Sequence, residues 1–393
     1  MGLLSYANAL VAQYFGAGEE AKCSRVVTQG LIITVLSMPL LLVITLLVGK
    51  LFAAMGHEPR QVELESIYYN LLMISCFLPL SKLCIASYFS GIGRTKVVMI
   101  CDVLGMMMNV PLSYILIFGK FGLPAMGIAG AAIGTIISSA FALILFLLFY
   151  FQKENRNRFK VLDSFKFDKP IMGRYIKLGL PSGLEMFLNV AAFNLFLLMF
   201  QSYGIPEAAA ATIVFNWDIL AFVPMLGLNI GVISLIGRFV GANDMGKTNQ
   251  VIVSGFLVSL GYTGILAFIF VVYRIPLVDI FISPGKDYGA IMELTSFMMI
   301  GLATYVMADA VRLVASAVLR GAGDTRWLMI SSATMYWTML LAQYLIIRVF
   351  EYGPKASWLA FVVMIFSITL ICLIRLYGGK WRDPKVLQLV MAE

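Results

Sequence analysis

Apolar positions in this chain do not alternate; they run in long blocks separated by short polar clusters. Ten blocks fall near 26–49, 66–90, 97–118, 124–151, 171–200, 207–233, 251–273, 289–317, 327–349 and 354–374. Each reaches or approaches the roughly 20 residues that a helix needs to cross a hydrocarbon layer. The pattern predicts an all-α, polytopic membrane protein. Residues 1–15 form an eleventh apolar stretch, too short to span from its own start. It lacks the basic region and small-residue cleavage site of a signal peptide. Pro79, Pro111, Pro181 and Pro224 interrupt the blocks, and Pro181, between Gly179 and Gly183, marks a bend suited to rocking.

Composition agrees with that reading. Of 393 residues 61% are hydrophobic and only 13% charged, against about a quarter charged in a soluble chain. A cytosolic enzyme, a disordered chain, a coiled coil and a disulfide scaffold are excluded. One histidine, His57, rules out sites built on paired imidazoles. Cys23, Cys76, Cys84, Cys101 and Cys372 form no CxxC and read as packing residues. The net charge of +8 reads as cytoplasmic anchoring rather than nucleic-acid binding. With the spans alternating, 20 of the 29 Lys and Arg fall on one side and 7 on the other. The richer side is expected to be cytoplasmic. Lys82 and Arg312 lie inside spans, where each needs an acidic partner or a wet cavity.

An internal repeat organises the chain. LVAQYFGAGEEAKCSRVVTQG (10–30) aligns without a gap to LIGRFVGANDMGKTNQVIVSG (235–255), with Gly16, Ala17, Lys22 and Gly30 identical to Gly241, Ala242, Lys247 and Gly255. GIGRTKVVM (91–99) likewise matches GAGDTRWLM (321–329). Neither GxG follows a strand or continues to GK[ST], so these glycines are expected to serve tight turns or close helix contacts. An even number of spans separates the copies, so the halves are parallel repeats about an axis along the membrane normal. The divisions are an N-terminal lobe 1–151, a charged cytoplasmic linker 152–170, a C-terminal lobe 171–377 and a cytoplasmic tail 378–393. By the repeat, the first lobe lacks about 54 residues that the second has before its Gly-Ala loop. That is one helix and most of another, leaving 10–11 of 12 helices and turning Ser5, Asn8 and Gln13 toward lipid. An internal start at Met1 and a truncated chain both account for it.

The motifs resemble the multidrug and toxic compound extrusion family of secondary transporters. The resemblance runs from Leu10 to about Asp383, on VAQYFGAG, GIGRTK, LPAMGIAGAAIGT (123–135), LGLPSGLEMFLNVAAF (178–193) and, most specifically, YVMADAVRLVASAVLRGAGDT (305–325). It implies two six-helix lobes open alternately to the two sides. It also implies export of small organic, often cationic, compounds driven by Na+ or H+, with no cofactor and no enzymatic step. A monomer in the bilayer of a bacterial or archaeal plasma membrane is expected, with no nucleic-acid partner.

Asp309 matches the family's cation-linked aspartate, and a structural pair with Arg312, one turn on, is the competing account. The family's glutamate in the first helix of the second lobe is replaced by Asn189, and an acid one turn on by Asn194. An Asn offers Na+ a carbonyl but carries no proton. Glu185, one turn before Asn189, either replaces the lost charge or is a snorkelling or helix-end residue. The expected coupling set is therefore Asp309, Glu185 and Asn189, with Asp309 and Asn189 as Na+ ligands. Asn216, Asp218, Asn194, Tyr305 and Arg312 are expected to line the substrate cavity. Trp217, Trp337, Tyr336 and Phe193 are further aromatic candidates for planar cations. A flippase of lipid-linked precursors, which wants buried Arg or Lys, and a non-transporting remnant are the alternative functions.

Overall fold

The computed structural model describes residues 1–54, 58–282 and 288–383, so His57, Lys286 and most of the tail, 384–393, lie outside the described residues. The described residues are helical, without a strand. Among the described residues nine helices are long and apolar enough to cross a membrane, and a bent pair, counted as one span, makes a tenth.

The chain divides into one unit over Leu3–Ile176 and a second beginning at Lys177. The first holds α1 (Gly2–Ser5), α2 (Ala7–Gly16), α3 (Glu20–Ala54), α4 (Pro59–Ile74), α5 (Phe77–Gly91), α6 (Thr95–Phe118), α7 (Gly127–Tyr150) and α8 (Lys153–Arg158). The second holds most of α9 (Lys169–Gln201), then α10 (Ile205–Gly241), α11 (Met245–Val272), α12 (Arg274–Asp279), α13 (Tyr288–Ala322), α14 (Thr325–Tyr344) and α15 (Pro354–Tyr377).

The block expected at 66–90 is not one straight helix: α4 and α5 meet at 44°. Pro79 supplies the reason. It has no N–H to give the Ser75 carbonyl, which is taken instead by the Leu78 N–H at 2.9 Å. Pro111, Pro181 and Pro224 sit inside continuous helices.

Of Ser5, Asn8 and Gln13, expected to turn toward lipid, Ser5 is exposed and the other two are covered by protein. Asn8 is 4% exposed and Gln13 fully buried. Arg174 donates from Nη2 to Gln13 Oε1 at 2.7 Å and stacks on the Tyr14 ring. Residues Ala7–Tyr14 of α2 are all buried, and α2 packs on α3 and α5.

The 152–170 segment is docked rather than slack. Arg158 forks onto Glu20, Arg25 reaches Asp168 at 2.9 Å, Ser24 donates to the Phe159 carbonyl and Thr28 bonds Ser164. Phe159 and Val161 of the segment are buried.

Each repeated motif folds the same way in its own unit. Gly18 and its counterpart Asn243 both take a left-handed φ, at 77° and 56°. Glu19 and Asp244, next in line, pair with Lys22 and Lys247 at 2.8 and 3.3 Å. Asp244 also caps α11 by accepting the Lys247 N–H, which holds its carboxyl below the usual range. At the second motif Gly93 and Gly323 are left-handed, with φ of 81° and 97°. A methyl built on Gly91 would lie 2.7 Å from Val11 Cγ1 and 2.9 Å from the Asn8 carbonyl. On Gly321 it would lie 3.0 Å from Ile236 Cβ and 2.9 Å from the Ile233 carbonyl. Asn8 and Val11 occupy the repeat positions of Ile233 and Ile236. One glycine of each triplet thus makes the turn and the other admits a neighbouring helix.

Candidate functional site

The second unit is organised around α13, most of whose apolar stretch is buried. It packs on α10, α11 and α15. Small residues permit this: Ala303, Ala308, Ala310, Ala315 and Ala317 are all buried along it. Two cross-helix bonds pin the middle of α13. Thr369 of α15 donates to the Ala308 carbonyl at 3.1 Å, and Asn229 of α10 donates to the Leu313 carbonyl at 2.8 Å.

Asp309 and Arg312 lie between those two pins. Arg312 approaches Asp309 Oδ1 with Nε at 2.7 Å and Nη2 at 2.6 Å. The side chains are 12% and 14% exposed for Arg312 and Asp309. Asp218 of α10 lies near the Tyr305 hydroxyl, Asp309 and Arg312, and that hydroxyl is buried without a hydrogen-bond partner among the described residues. Tyr336 of α14 lies in the field of Arg312, Asp309, Glu185 and Asp218. The sequence candidates Asp218, Tyr305, Asp309 and Arg312 therefore form one ionisable cluster, and Tyr336 borders it.

Glu185 stands in a second pair. It is 4% exposed, accepts from Arg320 Nη2 at 2.8 Å and from Ser332 Oγ at 3.5 Å. It faces protein, not lipid, which removes the snorkelling account. Asn189, one turn along α9, has a buried Oδ1 with no partner among the described residues. That orphan oxygen is a free acceptor for a cation or a donor.

The other candidates are less engaged. Asn194 and Asn216 are exposed and donate to carbonyls of their own helices, Val190 and Thr212, at 2.8 and 2.9 Å. Trp217 is committed to packing: it donates to the Leu277 carbonyl and meets Phe270 and Phe281. Phe193 and Tyr305 belong to an aromatic core with Phe196, Phe215, Trp358 and Phe361. Trp337 is 44% exposed. No group of three or more His, Cys, Asp or Glu arranged to hold a metal occurs among the described residues.

Arg320 was not legible as a site residue, because its place beside the GAG turn reads as a loop charge. Asp102 of α6 pairs with Lys82 of α5 at 2.8 Å. The available signal was depth: both lie a similar number of residues from the shared turn at 91–94, on consecutive helices.

Comparison with known proteins agrees with this architecture. The MatE family model matches residues 1–115 and 181–345. A relative named "Probable multidrug resistance protein NorM" from Pasteurella multocida (strain Pm70) is 27% identical over 383 residues, covering 95% of this chain and 82% of its own length. A structure described as "Crystal structure of MATE in the bent conformation" superposes with a TM-score of 0.86 at 18% identity, over 100% of this chain and 85% of that one. A MOP superfamily transporter from Pyrococcus furiosus Vc1 (DSM3638), described as having a binding pocket of reverse polarity, gives 0.87 at 18% identity, with the same coverage. The chain belongs to the MatE family, the multidrug and toxic compound extrusion family that its motifs resemble.

Proposed function

We propose that this chain is a plasma-membrane antiporter that exports small organic cations in exchange for Na+ or H+, with the cluster on α10 and α13 as its coupling site. One observation carries the reading. The charges of the second unit's interior do not cancel: Asp309 is matched by Arg312 and Glu185 by Arg320, whereas no lysine or arginine pairs with Asp218 among the described residues. A lone carboxylate at bilayer depth is costly, and in membrane proteins such groups face a water-filled cavity or an ion pathway. A proton, Na+ or an organic cation supplies the missing charge. Only one such partner is needed at a time, which is the condition for exchange.

The geometry supports the following roles. Asp218 and Asp309 share the incoming cation, Arg312 keeps the pair from holding two protons at once, and Tyr305 lies beside Asp218. The orphaned Asn189 oxygen is the neutral ligand available to Na+. Glu185, already neutralised by Arg320, serves as a support rather than as the coupling acid. The name of the Pasteurella relative, a multidrug resistance protein, supports the substrate class, and the excess of carboxylates favours cations over anionic headgroups. Efflux of ethidium from proteoliposomes, driven in turn by an imposed Na+ gradient and an imposed pH gradient, tests the reading and identifies the ion.

A further inference from the structure

We infer that the first unit carries a second, independent cation-exchange site, in which Asp102 of α6 trades the tethered ammonium of Lys82 on α5 for the charge of an organic monocation. The inference rests on the reading of the chain as an exporter of organic cations.

The repeat supplies the first argument. Lys82 stands nine residues before Gly91, and Arg312 stands nine residues before Gly321, the matching glycine of the second copy. Both motifs end in the same turn, so both cations lie about 13 Å along their helices from it at 1.5 Å per residue. Each is held by an aspartate, Lys82 by Asp102 and Arg312 by Asp309. The partners are not repeat counterparts: Pro79 stands where Asp309 does, and Ser332 where Asp102 does. A cation–carboxylate pair at this depth is present in both units although its acid comes from different helices. Packing alone has no need of that.

The second argument is the contrast in how the pairs are held. Arg312 presents two nitrogens to one oxygen, and its pair is nearly enclosed. Lys82 makes one contact, Nζ to Oδ1 at 2.8 Å, with side chains 31% and 45% exposed for Lys82 and Asp102. A half-exposed pair in a span that is otherwise apolar faces water, since lipid gives neither charge a partner. A lysine is a point charge on a flexible stem, without the fork that locks an arginine to a carboxylate. Its ammonium swings out into the wet face when another cation arrives.

The arrangement keeps Asp102 from standing bare in either state. A unit that reorients across the membrane with a bare carboxylate carries an uncompensated charge through low dielectric. With Lys82 seated, Asp102 is neutralised when the site is empty of ligand. With an organic cation seated, Asp102 is neutralised by the ligand and Lys82 is solvated. Lys82 is in effect a built-in competitor.

The test is equilibrium binding of tetraphenylphosphonium to the purified full chain in detergent, with size-exclusion profiles confirming folding. Removing the tethered competitor by Lys82→Met is expected to tighten binding at least tenfold. Lys82→Met/Asp102→Asn, which removes the acid as well, is expected to return affinity to the wild-type value or weaker. Lys82→Gln repeats the measurement with a polar side chain and is expected to tighten binding likewise. Affinity within twofold of wild type in both single variants, or a double variant as tight as Lys82→Met, would overturn the inference. Wild type that binds but ignores Lys82 sinks this site alone. Absence of binding by every variant sinks the organic-cation reading together with it.

Discussion

Arg312 grips a single oxygen of Asp309 with two of its nitrogens, at 2.7 and 2.6 Å, while the nearby Asp218 forms no ion pair among the described residues. The pair alone is neutral and explains nothing about transport. On the proposed reading its consequence lies in the neighbour: a locked pair sets a fixed field in which Asp218 gains or loses one positive charge. Bonds from Thr369 and Asn229 to the α13 backbone hold that field in place.

The Glu185–Arg320 pair is expected to matter for folding more than for coupling. Glu185→Ala leaves the Arg320 guanidinium without its carboxylate in a largely buried setting, a loss of about 3 kcal/mol by analogy with other broken buried pairs. Glu185→Met/Arg320→Met removes both charges and is expected to recover most of that. Thermal melting in detergent reads the order wild type, double variant, single variant. A single variant as stable as wild type would show that the pair carries no load.

The repeated glycines give a second stability prediction. Gly321→Ala places a methyl against the Ile233 carbonyl and Ile236, and overpacking of this kind costs about 1–3 kcal/mol. Gly91→Ala meets the same obstruction from Asn8 and Val11 and is expected to cost a similar amount. Trimming the neighbour in Gly91→Ala/Val11→Ala relieves only the side-chain part of the clash. Melting temperatures of the three variants check this, and unchanged values for both single variants would contradict the shared packing role.

The repeat itself was fully legible in the sequence, because Gly-Ala-x-x-x-x-Lys and GxG are required by backbone geometry that a composition-matched helix does not need. The span count was legible for the same reason that hydropathy works: no water satisfies a backbone in lipid. The break at Ser75–Cys76 was missed because Pro111, Pro181 and Pro224 look the same in sequence and are absorbed without a break. The pairing of charges was the larger omission. Asp309 and Arg312 are neighbours on one helix and can be read directly, but Glu185 and Arg320 meet across 135 residues of chain. No periodicity reports that.

Sidedness is expected to follow from charge. The 152–170 segment carries the densest run of the basic residues and docks on the first unit beside Glu20 and Arg25. Single cysteines placed in it, in a variant freed of the five native thiols, are expected to react with an impermeant maleimide only in inverted vesicles. Labelling from outside intact cells would reverse the topology.

The most direct test of the coupling cluster is efflux of ethidium from proteoliposomes under an imposed Na+ or H+ gradient, comparing wild type with Asp309→Asn and Asp218→Asn. Asn keeps the volume of Asp while removing its charge, so both variants are expected to insert and fold. The account predicts gradient-driven efflux by wild type, and loss of that drive to the level of empty liposomes in each variant. Undiminished gradient-driven efflux in both would show that the α10–α13 carboxylates do not couple ion flow to export.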